Sequence, residues 1–81
     1  MWVENQNGGL YNLNFVRYIY IDCTGQDQYR FSIFFEDSTS VKRTLFSNLN
    51  EDTAKEILKK LKLHMIVNSN FVSKETLLEV E

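Results

Sequence analysis

Hydrophobic and polar positions alternate along three segments in the first part of the chain. The segments cover residues 15–24, 28–36 and 41–47, and each is rich in β-branched or aromatic residues. A period of two is typical of strands with one buried face. Turn-forming residues separate the segments, at Gly25-Gln26-Asp27 and at Asp37-Ser38-Thr39. The pattern predicts an antiparallel meander of three strands.

A hairpin is expected ahead of the meander. Residues 1–4 form a short apolar–polar stretch, and residues 5–9 read Asn-Gln-Asn-Gly-Gly. Asn-Gly and Gly-Gly pairs supply the positive φ that tight hairpins require. The chain should therefore reverse here and return over residues 10–13, which brings the sheet to four or five strands.

Beyond residue 50 the apolar spacing lengthens to three and four residues, which indicates a helix. Asn50 is a good N-cap, and Glu51 and Asp52 place negative charge in the first turn, where it complements the helix dipole. We expect a helix over residues 51–67. Its buried stripe consists of five apolar residues at helical spacing: Ala54, Ile57, Leu58, Leu61 and Met65.

Two interpretations of the C-terminal segment stay open. Ser73 suits the cap of a short helix containing Leu77 and Leu78, whereas the alternative is a short strand ending in Val80. Residues 1–81 are expected to form a single small α+β domain. Its antiparallel sheet of four to five strands, a β-meander, packs against one C-terminal helix, and residues 68–81 form an extension that packs on the helix.

The sheet carries more large apolar side chains than one helix can cover. Successive side chains point to opposite faces of a strand, so Tyr18 and Tyr20 point outward if Ile19 and Ile21 point inward. Phe34 likewise points away from the face that holds residues 31, 33 and 35. These outward aromatic residues need a second covering layer.

Two places do not fit a regular strand. Val16 and Ile19 are three residues apart, so both face inward only if a β-bulge lies near residues 17–18. In the third strand Leu45 and Phe46 are consecutive and are not expected to share a face. One of them should therefore add to the apolar surplus.

The helix also carries apolar residues away from its buried stripe. One hypothesis is that the C-terminal segment folds back over them through Phe71, Leu77 and Leu78. The other is an interaction surface, because exposed contiguous apolar patches usually mark binding sites. The candidate partner-binding residues of the sheet and the helix are Tyr18, Tyr20, Phe34, Leu63, Ile66 and Val67.

Composition limits the ways in which the chain can be stabilised. Its 81 residues include one cysteine, one histidine and no proline. One cysteine cannot form a disulfide within the chain, and one cysteine with one histidine falls short of a structural zinc site.

The net charge of −2 argues against broad electrostatic binding to nucleic acid or to an anionic membrane. Neither a membrane span nor a signal-peptide pattern is present, so we expect a cytoplasmic protein.

The sequence gives little support for catalysis. Cys23 is expected to be a small buried hydrophobic residue, and His64 to have a structural role near the helix C-terminus. A nucleophilic Cys23–His64 pair is not excluded by spacing, but no residue pattern favours it. We therefore expect no catalytic residues, no cofactor, no metal and no small-molecule substrate.

The most consistent function is a non-enzymatic protein-interaction module, which forms a homodimer or binds another protein. The alternative is a single-stranded nucleic-acid-binding protein, because aromatic residues on an exposed sheet face can stack bases. The glycine-containing aromatic motif of RNA-recognition sheets is absent, however, and the order of strands and helix differs from that fold.

The chain resembles small uncharacterised proteins of Gram-positive bacteria and their phages. The resemblance rests on Trp2-Val3, on Gly9-Leu10-Tyr11-Asn12-Leu13, on Val16, Ile19 and Ile21, and on Phe46-Ser47, Ala54, Ile57, Leu58 and Leu61. It implies a β-meander followed by one helix and carries over no functional residues. Such phage-type proteins often bind a host protein, which suggests a regulator or inhibitor.

Overall fold

The computed structural model describes residues 1–23 and 30–78. Its strands are β1 (Trp2–Glu4), β2 (Leu10–Asn12), β3 (Val16–Cys23), β4 (Phe31–Asp37), β5 (Lys42–Leu49) and β6 (Phe71–Val72). Its α-helices are α1 (Glu51–Ile66) and α2 (Lys74–Leu78), and a single 3₁₀ turn (Leu13–Phe15) links β2 to β3. The predicted turn at residues 25–27 and the proposed strand end at Val80 lie outside the described residues.

The α+β class is confirmed, but the strands form two sheets rather than one. Strands β3, β4 and β5 make an antiparallel meander, as predicted. The hairpin β1–β2 pairs with β6 in a second sheet of order β2-β1-β6, in which β1 and β6 are parallel. The 3₁₀ turn accounts for the division: the Asn12 side chain accepts a hydrogen bond from the Asn14 amide at 3.0 Å and redirects the chain after β2.

The hairpin turn is built around Asn5. Its side-chain oxygen accepts hydrogen bonds from the amides of Asn7 and Gly9 at 3.1 and 2.8 Å. Gly8 has a φ of 82°, and a Cβ at Gly9 would lie 3.2 Å from the Asn5 oxygen. Gly8 thus suits its positive φ, and Gly9 leaves room for the close approach of the Asn5 side chain.

One face of the large sheet, the helix α1 and the inner side of the small sheet enclose the core. The predicted bulge in β3 is confirmed between Val16 and Tyr18. The expectation that Leu45 and Phe46 cannot share a face is wrong, because both are buried in the same core cluster. The register between β4 and β5 shifts at this point, so an extra residue in β5 lets consecutive side chains point inward.

Helix α1 starts as predicted and ends one residue earlier. The Asn50 side chain accepts a hydrogen bond from the Thr53 amide at 2.7 Å, which confirms the N-cap. Asn68, with a φ of 57°, terminates the helix in the left-handed conformation. The prediction that Met65 belongs to the buried stripe is wrong. Met65 is exposed because it lies in the last turn of α1, beside the outer edge of β3.

The C-terminal segment contributes to the core without covering the end of α1. Ser73 accepts a hydrogen bond from the Thr76 amide at 3.3 Å, so the short-helix interpretation is confirmed for α2. Val72 and Leu77 are fully buried. Phe71 points outward, however, and the hypothesis that this segment covers the apolar end of α1 is wrong for the described residues.

Candidate interaction surfaces

The outer face of the large sheet carries a row of three aromatic rings, which we call the aromatic face: Tyr18, Tyr20 and Phe34. Tyr20 and Phe34 are direct partners in the β3–β4 register. The ring centroids are 5.3 Å apart between Tyr18 and Tyr20 and 5.6 Å apart between Tyr20 and Phe34. The Lys42 ammonium lies 4.1 Å from the centre of the Phe34 ring, which places a cation on the π face.

These rings cover one another more than the sequence suggested. Phe34 is only 7% exposed, although it lies on the outer face and outside the main core cluster. Tyr20 is half-buried, and Tyr18 alone is 50% exposed. The aromatic face thus offers one open ring, fewer than the two or three that base-stacking sheets present.

Tyr18 is anchored by a charged neighbour. Its hydroxyl donates a hydrogen bond of 2.6 Å to Glu36, and Arg17 lies 3.7 Å from the same carboxylate. The hydrogen bond to Glu36 raises the pKa of the Tyr18 hydroxyl, because an ionised phenolate would face a carboxylate. Tyr18 is therefore held in one orientation as a neutral donor.

The end of helix α1 presents a more open apolar surface. Leu63, Ile66 and Val67, together called the helix-end surface, are 56%, 79% and 70% exposed. All three are candidate residues from the sequence, and the structure brings them to one end of the domain. They follow one another within five positions of the chain, across the last turn of α1 and its C-cap.

Two further exposed residues were missed from the sequence. Trp2 and Phe71 are direct partners in the parallel pairing of β1 with β6, and both are about half exposed. The Trp2 amide also donates a hydrogen bond to the Asn70 carbonyl at 2.8 Å. This bond attaches β1 to the segment that leads from α1 into β6. Because β6 has two residues only, no alternation in the sequence could have revealed this pair.

A small groove runs along the outer margin of β3, where helix α1 crosses the sheet. We call it the β3 groove; its apolar wall consists of Val16, Ile19, Leu58, Leu61 and Met65. Arg17, Tyr18 and Lys62 complete it. Its volume is about 190 Å³. Pockets for drug-sized ligands usually measure roughly 300–1,000 Å³, so the groove suits side chains rather than a small molecule.

The two candidate catalytic residues occupy different surroundings. Cys23 is exposed at the end of β3, so the expectation of a buried thiol is wrong. His64 accepts or donates a 2.9 Å hydrogen bond between its Nδ1 and the Ser69 hydroxyl, which supports a structural role at the helix end. Cys23 is the last residue of β3, whereas His64 lies in the last turn of α1 and bonds to Ser69.

Residues 1–23 and 30–78 form neither a metal-binding cluster nor a membrane-spanning helix. These residues contain no cluster of three or more histidine, cysteine, aspartate or glutamate side chains that could hold a metal ion. Within the same ranges, neither α1 nor α2 has the length and apolar character needed to span a membrane.

Comparison with other proteins adds no assignment. No protein-family model matches the chain, and neither the curated proteins nor the solved structures include a significantly similar one. Functional inference therefore rests on the surfaces of this chain alone.

Proposed function

We propose that this protein is a non-enzymatic protein-interaction module that self-associates through the helix-end surface. The observation that carries the proposal is the exposure of Leu63, Ile66 and Val67 together at one end of α1. Exposed apolar side chains that cluster in this way are characteristic of interfaces, whereas single exposed ones are ordinary. Trp2 and Phe71 extend the apolar character onto the small sheet, and aromatic residues are typical interface anchors.

A second copy of the chain is a suitable occupant because the five side chains are uncharged. A two-fold axis brings each surface onto an identical one, so a patch of like charges would repel itself. An apolar patch meets no such penalty. Burial of the patch in a dimer contributes about 25 cal/mol for every Å² removed from water.

Sizing chromatography with light scattering at micromolar concentration tests the proposal. The expected result is a dimer that Ile66→Glu converts into a folded monomer. Lys59→Glu is the matched control, since Lys59 is exposed on the same helix and its substitution should leave the dimer intact. Circular dichroism verifies that both variants are folded.

The same experiment separates the two candidate surfaces. If Tyr20→Glu dissociates the dimer and Ile66→Glu does not, the aromatic face is the interface instead. A wild-type protein that is monomeric throughout this concentration range would refute self-association.

A further inference from the structure

The two outer strands of the large sheet differ in the protection of their edges. The order β3-β4-β5 places β3 and β5 at the margins. An open edge presents unpaired backbone groups to other strands, and proteins usually block it with bulges, charges or covering groups. The state of each edge therefore shows where an added strand is tolerated.

The edge of β5 is blocked in two ways. Its register with β4 shifts twice, and Asn48 adopts a φ of 55°, so the strand is irregular. The Gln6 side chain also bonds to both backbone groups of Ser47: its amide nitrogen donates to the carbonyl at 2.9 Å, and its oxygen accepts from the amide at 2.6 Å. Gln6 thus takes the place that a neighbouring strand would occupy.

No side chain of residues 1–23 and 30–78 bonds to the backbone of β3 from Tyr18 to Asp22 in the way that Gln6 bonds to β5. The bulge of β3 lies at its start, and from Tyr18 to Cys23 its pairing with β4 is unbroken. In the described part of the chain, the backbone from Tyr18 to Asp22 bonds to no strand or loop except β4. In an antiparallel pair every second residue directs its N–H and C=O away from its partner, so this edge offers donors and acceptors to a further strand.

The β3 groove lies along this same edge. Tyr18 and Ile19 point to opposite faces of the sheet, yet both line the groove. The groove must therefore lie at the outer edge of β3, where both faces can be reached. A strand added to β3 would direct alternate side chains toward Val16, Ile19 and Met65. The groove volume of about 190 Å³ accommodates aliphatic side chains of that kind.

The charges beside the groove identify the partner chemistry. Arg17 and Lys62 are both exposed and both line the groove. Lys62 forms no ion pair with a described residue. Arg17 already lies 3.7 Å from the Glu36 carboxylate, so Lys62 is the cation that a carboxylate on a foreign segment would complement.

We propose that the edge of β3 accepts an extended, acidic segment of a partner protein as an added strand, with apolar side chains in the β3 groove and a carboxylate near Lys62. The mode is β-augmentation, in which main-chain hydrogen bonds supply affinity and alternate side chains supply specificity. None of the three residues of the helix-end surface lines this groove, and the proposal does not depend on self-association.

An NMR titration of the ¹⁵N-labelled protein tests the site. The probe is a synthetic peptide of alternating valine and glutamate, and the control is a peptide of equal length that alternates valine and lysine. The glutamate peptide should shift the amides of β3 and of the groove, slow hydrogen exchange at alternate amides between Tyr18 and Asp22, and bind more weakly at high salt. The lysine peptide should bind at least about fivefold more weakly.

A pair of charge reversals locates the contact. Lys62→Glu should weaken binding of the glutamate peptide about fivefold, since one exposed attraction becomes a repulsion. Lys59→Glu changes the same charge on the same helix outside the groove and should alter binding by less than about twofold.

Three results would overturn the proposal. The first is equal binding of the two peptides, and the second is an equal effect of the two lysine reversals. The third is a protein whose β3 amides are already protected in a dimer and which binds neither peptide; in that case a second copy occupies the edge.

Discussion

Strands β3 and β5 have the same length, eight residues, and the same marginal position in one sheet, yet they are built differently. Strand β5 buries Leu45, Phe46 and Leu49, whereas the side chains of β3 are at best partly buried. The β5 edge is also bulged and bonded by Gln6, whereas β3 pairs regularly from Tyr18 to Cys23 and, within the described residues, its backbone from Tyr18 to Asp22 bonds only to β4. The difference shows that β5 contributes more to the core than β3 does, and it is the basis of the proposal that the β3 edge binds a partner strand.

The largest expected effect compares a side chain from each strand. Phe46→Ala should destabilise the domain by about 3–5 kcal/mol, because it removes a fully buried ring from the core. Tyr18→Ala should cost only about 1 kcal/mol or less, since Tyr18 is half exposed and loses one hydrogen bond to Glu36. Urea unfolding followed by circular dichroism measures both free energies.

Equal losses of stability would contradict the division between the strands. Tyr20→Ala is a useful intermediate, because Tyr20 is half-buried between two aromatic neighbours. The loss in free energy of unfolding for Tyr20→Ala should fall between the losses for Phe46→Ala and Tyr18→Ala.

The second prediction removes the cover from the β5 edge. Gln6→Ala leaves both backbone groups of Ser47 without their partner, and this should destabilise the domain by about 1–3 kcal/mol. The variant should also associate more readily at high concentration, because a second sheet edge becomes accessible. Asn7→Ala is the control, since the exposed Asn7 side chain lies in the same turn and should matter little. Unfolding and light scattering measure the two effects, and identical behaviour of the variants would show that Gln6 does not protect the edge.

Much of the fold followed from local sequence signals. The Asn50 cap, the hairpin turn built on Asn5 and the bulge before Tyr18 each depend on a few neighbouring residues, so pattern and propensity suffice to predict them. The division into two sheets could not be predicted in this way. It depends on the 3₁₀ turn after β2 and on the pairing of β1 with β6, whose residues are far apart in sequence, and β6 is too short to show alternation.

The candidate surfaces were predictable only in part. The exposure of Leu63, Ile66 and Val67 follows from helical periodicity. The near-complete burial of Phe34 does not, because it depends on cover from Tyr20 in β3 and Lys42 in β5. The presence of the β3 groove likewise depends on the angle at which α1 crosses the sheet, and the sequence pattern carries no information about that angle.

A third and smaller effect tests the irregular backbone of β5. Asn48→Val should destabilise the domain by about 1–2 kcal/mol, because a β-branched residue fits poorly at a φ of 55°. Asn48→Gly removes the same side chain but tolerates this conformation, so it should be nearly neutral. Thermal unfolding of the two variants measures the difference. If both variants lose stability equally, the side chain of Asn48 rather than its backbone conformation holds the strand.

The smallest effect concerns the turn that joins β4 to β5. Asp37 accepts hydrogen bonds from the Thr39 hydroxyl at 2.5 Å, from the amides of Val41 and Thr39, and from Arg43 at 3.2 Å. The Thr39 hydroxyl makes the largest contribution, and together these donors lower the pKa of Asp37 from 3.8 to about 2. The stability gained is therefore present above pH 3.8 and is lost as the pH falls toward 2.

Thr39→Val removes that hydroxyl donor while keeping the side-chain shape. The variant should raise the pKa of Asp37 toward its ordinary value, as measured by NMR titration of the carboxyl group. It should be less stable than the wild type near neutral pH, and the difference should shrink as the pH falls below 3.8. Ser38→Ala, in the same exposed turn, should leave the titration unchanged. A stability difference that persists undiminished at pH 2 would mean that Thr39 holds β5 through packing rather than through the Asp37 carboxylate.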